Sequence, residues 1–136
     1  MVEQIFVNLP VADLEAAKRF WRALGFDFNP HFTNADAACL VLGANLYAML
    51  LTPAFFAGFT DKPIADARSV TETITALPLP RREAVDALVG KARAAGGTVP
   101  RAAQDLGFMY QHGFDDPDGH IWEAFLMGAM PPAAQG

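Results

Sequence analysis

The chain has little cysteine: Cys39 is the only one in 136 residues. It can form neither an internal disulfide nor a thiolate metal cluster. It lies in the apolar run 37–42 and reads as a small buried hydrophobe rather than a nucleophile. Basic residues are also scarce. Ten Lys and Arg face 15 Asp and Glu, a net charge of −5. That balance argues against a non-specific nucleic-acid binder, which needs clustered cations for phosphates. No uninterrupted apolar run reaches the length of a membrane span. Met1-Val2-Glu3-Gln4 has no basic region leading into an apolar stretch, so no signal peptide is read and a cytoplasmic location is expected.

What is present is apolar material. Hydrophobic residues make up 52% of the chain, which excludes disorder on composition and suffices for the core of one domain. The run 5–9 ends at Pro10 and reads as a strand. Asp13 stands where an N-cap belongs. Leu14, Ala17, Phe20, Trp21 and Leu24 follow at helical spacing, and Gly25 is placed to stop the helix. Strands are predicted at 26–33, 37–42 and 46–52, with Gly43-Ala44-Asn45 as a turn. Residues 53–69 carry Pro53, Gly58 and Pro63 and read as a long connection, with Phe55, Phe56 and Phe59 as either an apolar lid or a small second core.

The order then repeats. A strand is predicted at 70–79 and a helix through Val85, Leu88, Val89, Ala92 and Ala95, stopped by Gly96-Gly97. Strands at 98–105, 108–114 and 120–127 follow, the last two joined by Asp116-Pro117-Asp118-Gly119. The expectation is an α+β fold of two βαβββ modules, about 4–52 and 70–127, in one domain spanning 1–130. Their strands should form a curved mixed sheet around a ligand cup. Residues 131–136 read as a frayed tail.

Two motifs at opposite ends of the chain carry a family resemblance. Pro10-Val11-Ala12-Asp13-Leu14-Glu15, with Phe20-Trp21 and Leu24-Gly25-Phe26, resembles the opening of the glyoxalase/bleomycin resistance/extradiol dioxygenase superfamily, also called the vicinal oxygen chelate superfamily. Asp116-Pro117-Asp118-Gly119-His120-Ile121-Trp122-Glu123 resembles its closing strand. The resemblance covers nearly the whole chain. It implies a glyoxalase-like fold and a homodimer. It does not choose among isomerases, lyases, dioxygenases and drug-binding proteins.

In metal-dependent relatives four strands supply His, Glu or Gln to one divalent ion. The matching positions here are Phe6, the stretch Ala48-Met49-Leu50, Ile74 and Glu123. Only Glu123 is a donor, and one carboxylate alone binds such ions poorly. The expectation is therefore no standard metal and no cofactor.

Glu123 is the candidate catalytic residue, a carboxylate among Trp122, Ala124 and Phe125 that serves as general acid or base, or else as a structural hydrogen-bond acceptor. Candidate ligand-binding residues are Phe6 and Asn8 on one face of the first strand, Glu72 on the face of Ile74, and Tyr110 with His112 on one face of their strand. Asn8 either orients a ligand carbonyl or satisfies backbone groups. Glu72 either meets Glu123 or stands in water at the rim. The Tyr110–His112 pair either lines the cup or is an ordinary surface pair. The leading expectation is a small-molecule enzyme, lyase- or isomerase-like in the manner of lactoylglutathione lyase, working without the ion. The alternatives are a drug- or metabolite-sequestering protein resembling bleomycin resistance proteins, and a metal-dependent lyase or extradiol dioxygenase. Neither a nucleic acid nor a membrane is an expected partner.

Overall fold

The computed structural model describes residues 1–128. The chain divides after Asp66 into two compact units. Each is an α+β module of βαβββ order with its own four-stranded mixed sheet, as the internal repeat predicts.

In the first unit, β1 (Ile5–Pro10) leads into α1 (Leu14–Ala23). Asp13 caps the helix by accepting a hydrogen bond from the Ala16 N–H at 3.1 Å. The helix ends because Gly25 takes φ +99°, the left-handed conformation that terminates helices. β2 (Asp27–Phe28), β3 (Ala37–Gly43) and β4 (Leu46–Leu51) complete a sheet of order β1-β4-β3-β2. β1 and β4 run parallel and the other pairs antiparallel. One sheet face is closed by α1. Leu14, Ala17, Phe20 and Trp21 of the helix are buried, as are Leu9, Ala38, Leu40, Ala48 and Leu50 of the strands. Burying each large side chain contributes about 1.5–3 kcal/mol. The strand expected at 26–33 is much shorter than predicted. Only Asp27 and Phe28 pair, and Pro30–Phe32 winds into a 3-10 turn capped by Asn29. Pro30 has no N–H to offer a ladder. The connection opens with a short helix, α2 (Pro53–Ala57), capped by Thr52. Phe55 and Phe59 pack edge to face at 5.3 Å and both remain exposed.

The second unit repeats the plan. β5 (Ile74–Pro78), α3 (Arg82–Ala94), β6 (Gln104–Asp105), β7 (Met109–Asp115) and β8 (Ile121–Met127) give the order β5-β8-β7-β6, with β5 and β8 parallel. Val85, Leu88, Val89 and Ala92 of α3 are buried, as are Tyr110, Phe114, Trp122 and Ala124 of the sheet. Two strands are again shorter than their sequence suggests. Residues 70–73 do not pair, because the ladder begins at Ile74 opposite Ile121, the first residue of β8. Of 98–105, only Thr98, as a lone bridge to Asp115, and Gln104–Asp105 pair. Pro100 interrupts the stretch between them. Among the described residues no helix is long and apolar enough to cross a membrane. The predicted frayed tail lies outside them.

Candidate functional site

The register decides which side chains share a face. In β8, Glu123 is paired with Ala76 of β5 and with Gly113 of β7. Ile74, Gln111, Asp115 and Ile121 alternate onto the same side, away from α3. With the segment leading into β6 they border a cleft of about 400 Å³, to which Arg101 and Gln104 also contribute. Gln111 Nε2 donates to Gln104 Oε1 at 2.8 Å, which ties the β7 wall to the loop wall.

Glu123 is half-buried in this cleft. Among the described residues its carboxylate accepts no hydrogen bond and joins no ion pair. Asp115 is in the same position, and burial pushes its carboxyl above the usual carboxylate range. Gly113, directly opposite Glu123, leaves that stretch of the floor without a side chain.

Of the other expected site residues, only His112 lines this cleft. Tyr110 and His112 do share a face, but it is the α3 face, opposite to Glu123, because they pair with Leu126 and Ala124. The Tyr110 hydroxyl donates to Asp86 Oδ1 at 2.5 Å, and the Arg82 guanidinium lies 4.0 Å from its ring centroid. The hydrogen bond to Asp86, with burial second, raises the Tyr110 hydroxyl above its ordinary value. His112 borders the cleft, and its Nε2–H donates to the Arg101 carbonyl at 3.0 Å. Glu72 is exposed in the unpaired lead to β5 and does not line the cleft. Phe6 and Asn8 lie in the first unit, exposed on the sheet face away from α1, with Phe6 stacked on Tyr47 at 4.7 Å.

At the four positions that the resemblance marks for a metal, the side chains are Phe6, Met49, Ile74 and Glu123, Met49 being the β4 residue on the Phe6 face. No group of three or more His, Cys, Asp or Glu is clustered for a metal among the described residues.

A carboxylate that the sequence reading assigned only to a turn is central to the module. Asp116 is 5% exposed. Its Oδ2 accepts from the Trp122 indole N–H at 3.0 Å, and its Oδ1 accepts from the N–H groups of Asp118 and His120 at 2.9 and 3.1 Å. Desolvation raises its carboxyl, opposed by the Trp122 hydrogen bond. This ties the β7–β8 turn to the core side chain that immediately precedes Glu123 and so holds the start of β8 in place. The spacing of six residues to a tryptophan was the available signal.

Residues 4–43 match a family model described as bleomycin resistance protein-like N-terminal. No curated protein matches the chain. Solved structures do. The hypothetical protein SA1046 from S. aureus is 28% identical over 93% of this chain and 94% of that one, with a TM-score of 0.79. A glyoxalase-related enzyme from Fulvimarina pelagi is 24% identical over 99% and 96%, with a TM-score of 0.78. The fosfomycin resistance protein FosX from Mesorhizobium loti shares the fold at 14% identity over 95% and 96%, with a TM-score of 0.67. The chain thus shares the fold of these glyoxalase-related and fosfomycin resistance structures, and its first module is similar to a bleomycin resistance protein-like N-terminal module.

Proposed function

We propose that the chain is a small-molecule enzyme of lyase or isomerase type, that its ligand binds in the second-unit cleft, and that Glu123 transfers the proton there without a divalent ion. The observation that carries the reading is the Glu123 carboxylate, half-buried in a 400 Å³ cleft with no partner among the described residues. A carboxylate so placed takes a proton from a carbon next to a ligand carbonyl and returns it to a neighbouring atom, with no net change in the protein. Gln104 and Gln111, already joined to each other, are placed to orient polar groups of the ligand. The donor set supports an ion-free site. Ile74 beside Glu123 offers no donor, and among the described residues Glu123 belongs to no group of three or more His, Cys, Asp or Glu such as a divalent cation needs.

The test is Glu123→Gln in a compound screen by thermal shift followed by turnover assays. Loss of turnover with binding kept within about threefold supports the reading, since the carboxylate is then needed only in the transition state. Stoichiometric nickel, zinc, manganese or iron in the purified protein, lost on Glu123→Gln, refutes the ion-free site.

The family-model match to the bleomycin resistance N-terminal module favours a second reading, sequestration of a drug or metabolite without turnover. It predicts tight binding and cell protection with no product formed. We also propose a cytoplasmic homodimer. β1 is an edge strand, and Ile5 on it and Leu46 on the adjoining strand are 53% and 50% exposed. Sedimentation showing a monomer at micromolar concentration refutes the dimer.

A further inference from the structure

The proton-transfer reading leaves Asp115 without a role, although it lines the same cleft as Glu123. Asp115 faces Ile121 across the ladder and Gly113 faces Glu123, so the two carboxylates stand on a cross-strand diagonal. Such diagonals separate by about 7–8 Å. Arg101 also lines the cleft, yet it makes no ion pair with either carboxylate. Two carboxylates against one guanidinium leave the lining negative. A carboxylate that has lost part of its water and gained no cation is destabilised, and a ligand cation seated beside it removes that cost. Burial acts on Asp115 in this sense.

The space between the two carboxylates is shaped for a carbon skeleton. Ile74 and Ile121 line the cleft. Gly113 exposes bare backbone opposite Glu123, and a Cβ there would come within 3.3 Å of the Trp122 carbonyl oxygen. Gly113 is not among the residues with positive φ, so its backbone conformation does not demand glycine. What glycine provides there is room.

We propose that Asp115 holds the cationic end of the ligand, so that the molecule presented to Glu123 is a small amine with its ammonium at Asp115 and its carbon skeleton over Gly113 and Ile121. Asp115 is then a positioning residue and Glu123 the reacting one. This rests on the cleft reading under Proposed function.

Calorimetry at pH 7 with 2-phenylethylamine, the neutral 2-phenylethanol and the anionic 3-phenylpropanoate tests it. The wild-type protein is expected to prefer the amine to the alcohol by about tenfold or more, as a charge-assisted contact gives. Asp115→Asn is expected to bring that preference below about threefold while leaving the Kd of the alcohol unchanged. Equal binding of amine and alcohol, tighter binding of the anion, an amine preference that survives Asp115→Asn, or no amine binding at about 10 mM (weaker than about −2.7 kcal/mol) overturns the inference. Gly113→Val separates this from the underlying reading. It keeps both carboxylates and fills the floor, and Gly113→Ala is the milder version should valine disturb the strand. Probes that bind Gly113→Val and Gly113→Ala as they bind wild type are bound elsewhere, and the cleft reading fails with the inference. Probes lost on Gly113→Val but showing no amine preference in wild type leave the cleft standing and remove only the cation.

Discussion

Asp116→Ala removes the acceptor for three N–H groups at once. The Trp122 indole N–H is the costly one, because that side chain is 1% exposed and no water reaches it. An unpaired buried donor costs about 1–3 kcal/mol. The N–H groups of Asp118 and His120 are part-buried and turn partly to water, at about 0.5–1.5 kcal/mol each. Relief of the carboxylate's desolvation, which raises its proton affinity, offsets some of this. The expected loss is about 3 kcal/mol, a large part of the 5–15 kcal/mol that holds a typical domain. Asp116→Asn keeps an oxygen for the two turn N–H groups but sets an NH2 against the indole N–H, so about 1–2 kcal/mol is expected. Urea unfolding at pH 7, followed by far-UV circular dichroism, measures both. In a double-mutant cycle, Asp116→Ala with Trp122→Phe should show coupling of about 1–2 kcal/mol. A cost for Asp116→Ala below about 0.5 kcal/mol, or no coupling to Trp122, refutes the argument. The pH dependence has a fixed sign. A carboxyl raised in the folded state gives stability that is fully present below its ordinary value near 3.9 and is lost as pH rises through the folded value. The advantage of wild type over Asp116→Asn should therefore be larger at pH 4 than at pH 7, and an advantage that grows with pH contradicts the assignment.

Gly119→Ala is expected to cost more than about 2 kcal/mol in the same unfolding assay. Gly119 has φ +91°, and a Cβ would meet the backbone of Ala67 and Arg68 at 2.7–2.8 Å. Asp13→Ala removes the cap of α1 and should lower stability by about 1 kcal/mol, with Asp13→Asn or Asp13→Ser restoring most of it. Cys39 is fully buried and its thiol is pushed up by that burial, so at pH 8 it should react with an aromatic disulfide reagent only slowly until urea unfolds the chain. Prompt stoichiometric reaction of the native protein contradicts this.

Much of the fold was legible in the sequence because its signals are local. Asp13, the spacing of Leu14, Ala17, Phe20 and Trp21, and Gly25 define α1 without reference to anything distant. Their recurrence in looser form around α3 indicates a second module. The site was legible only in part. Glu123 could be singled out as the surviving carboxylate of the closing strand. Its neighbours could not, because the faces of β7 and β8 depend on their mutual register, and a slip of one residue exchanges them. That register puts Asp115 and Gly113 on the face of Glu123 and sets Tyr110, bonded to Asp86 of α3, on the opposite one. The shortened strands have the same origin. Residues 70–73 carry strand-forming side chains, but no ladder lies beside them, since β8 begins opposite Ile74. Local propensity and helix capping thus belong to the sequence by itself: the two modules, their helices and the scarcity of metal donors. Cross-strand pairing belongs to the tertiary structure, because it joins residues remote in the chain. It alone decided that the cleft beside Glu123 holds a second unpartnered carboxylate.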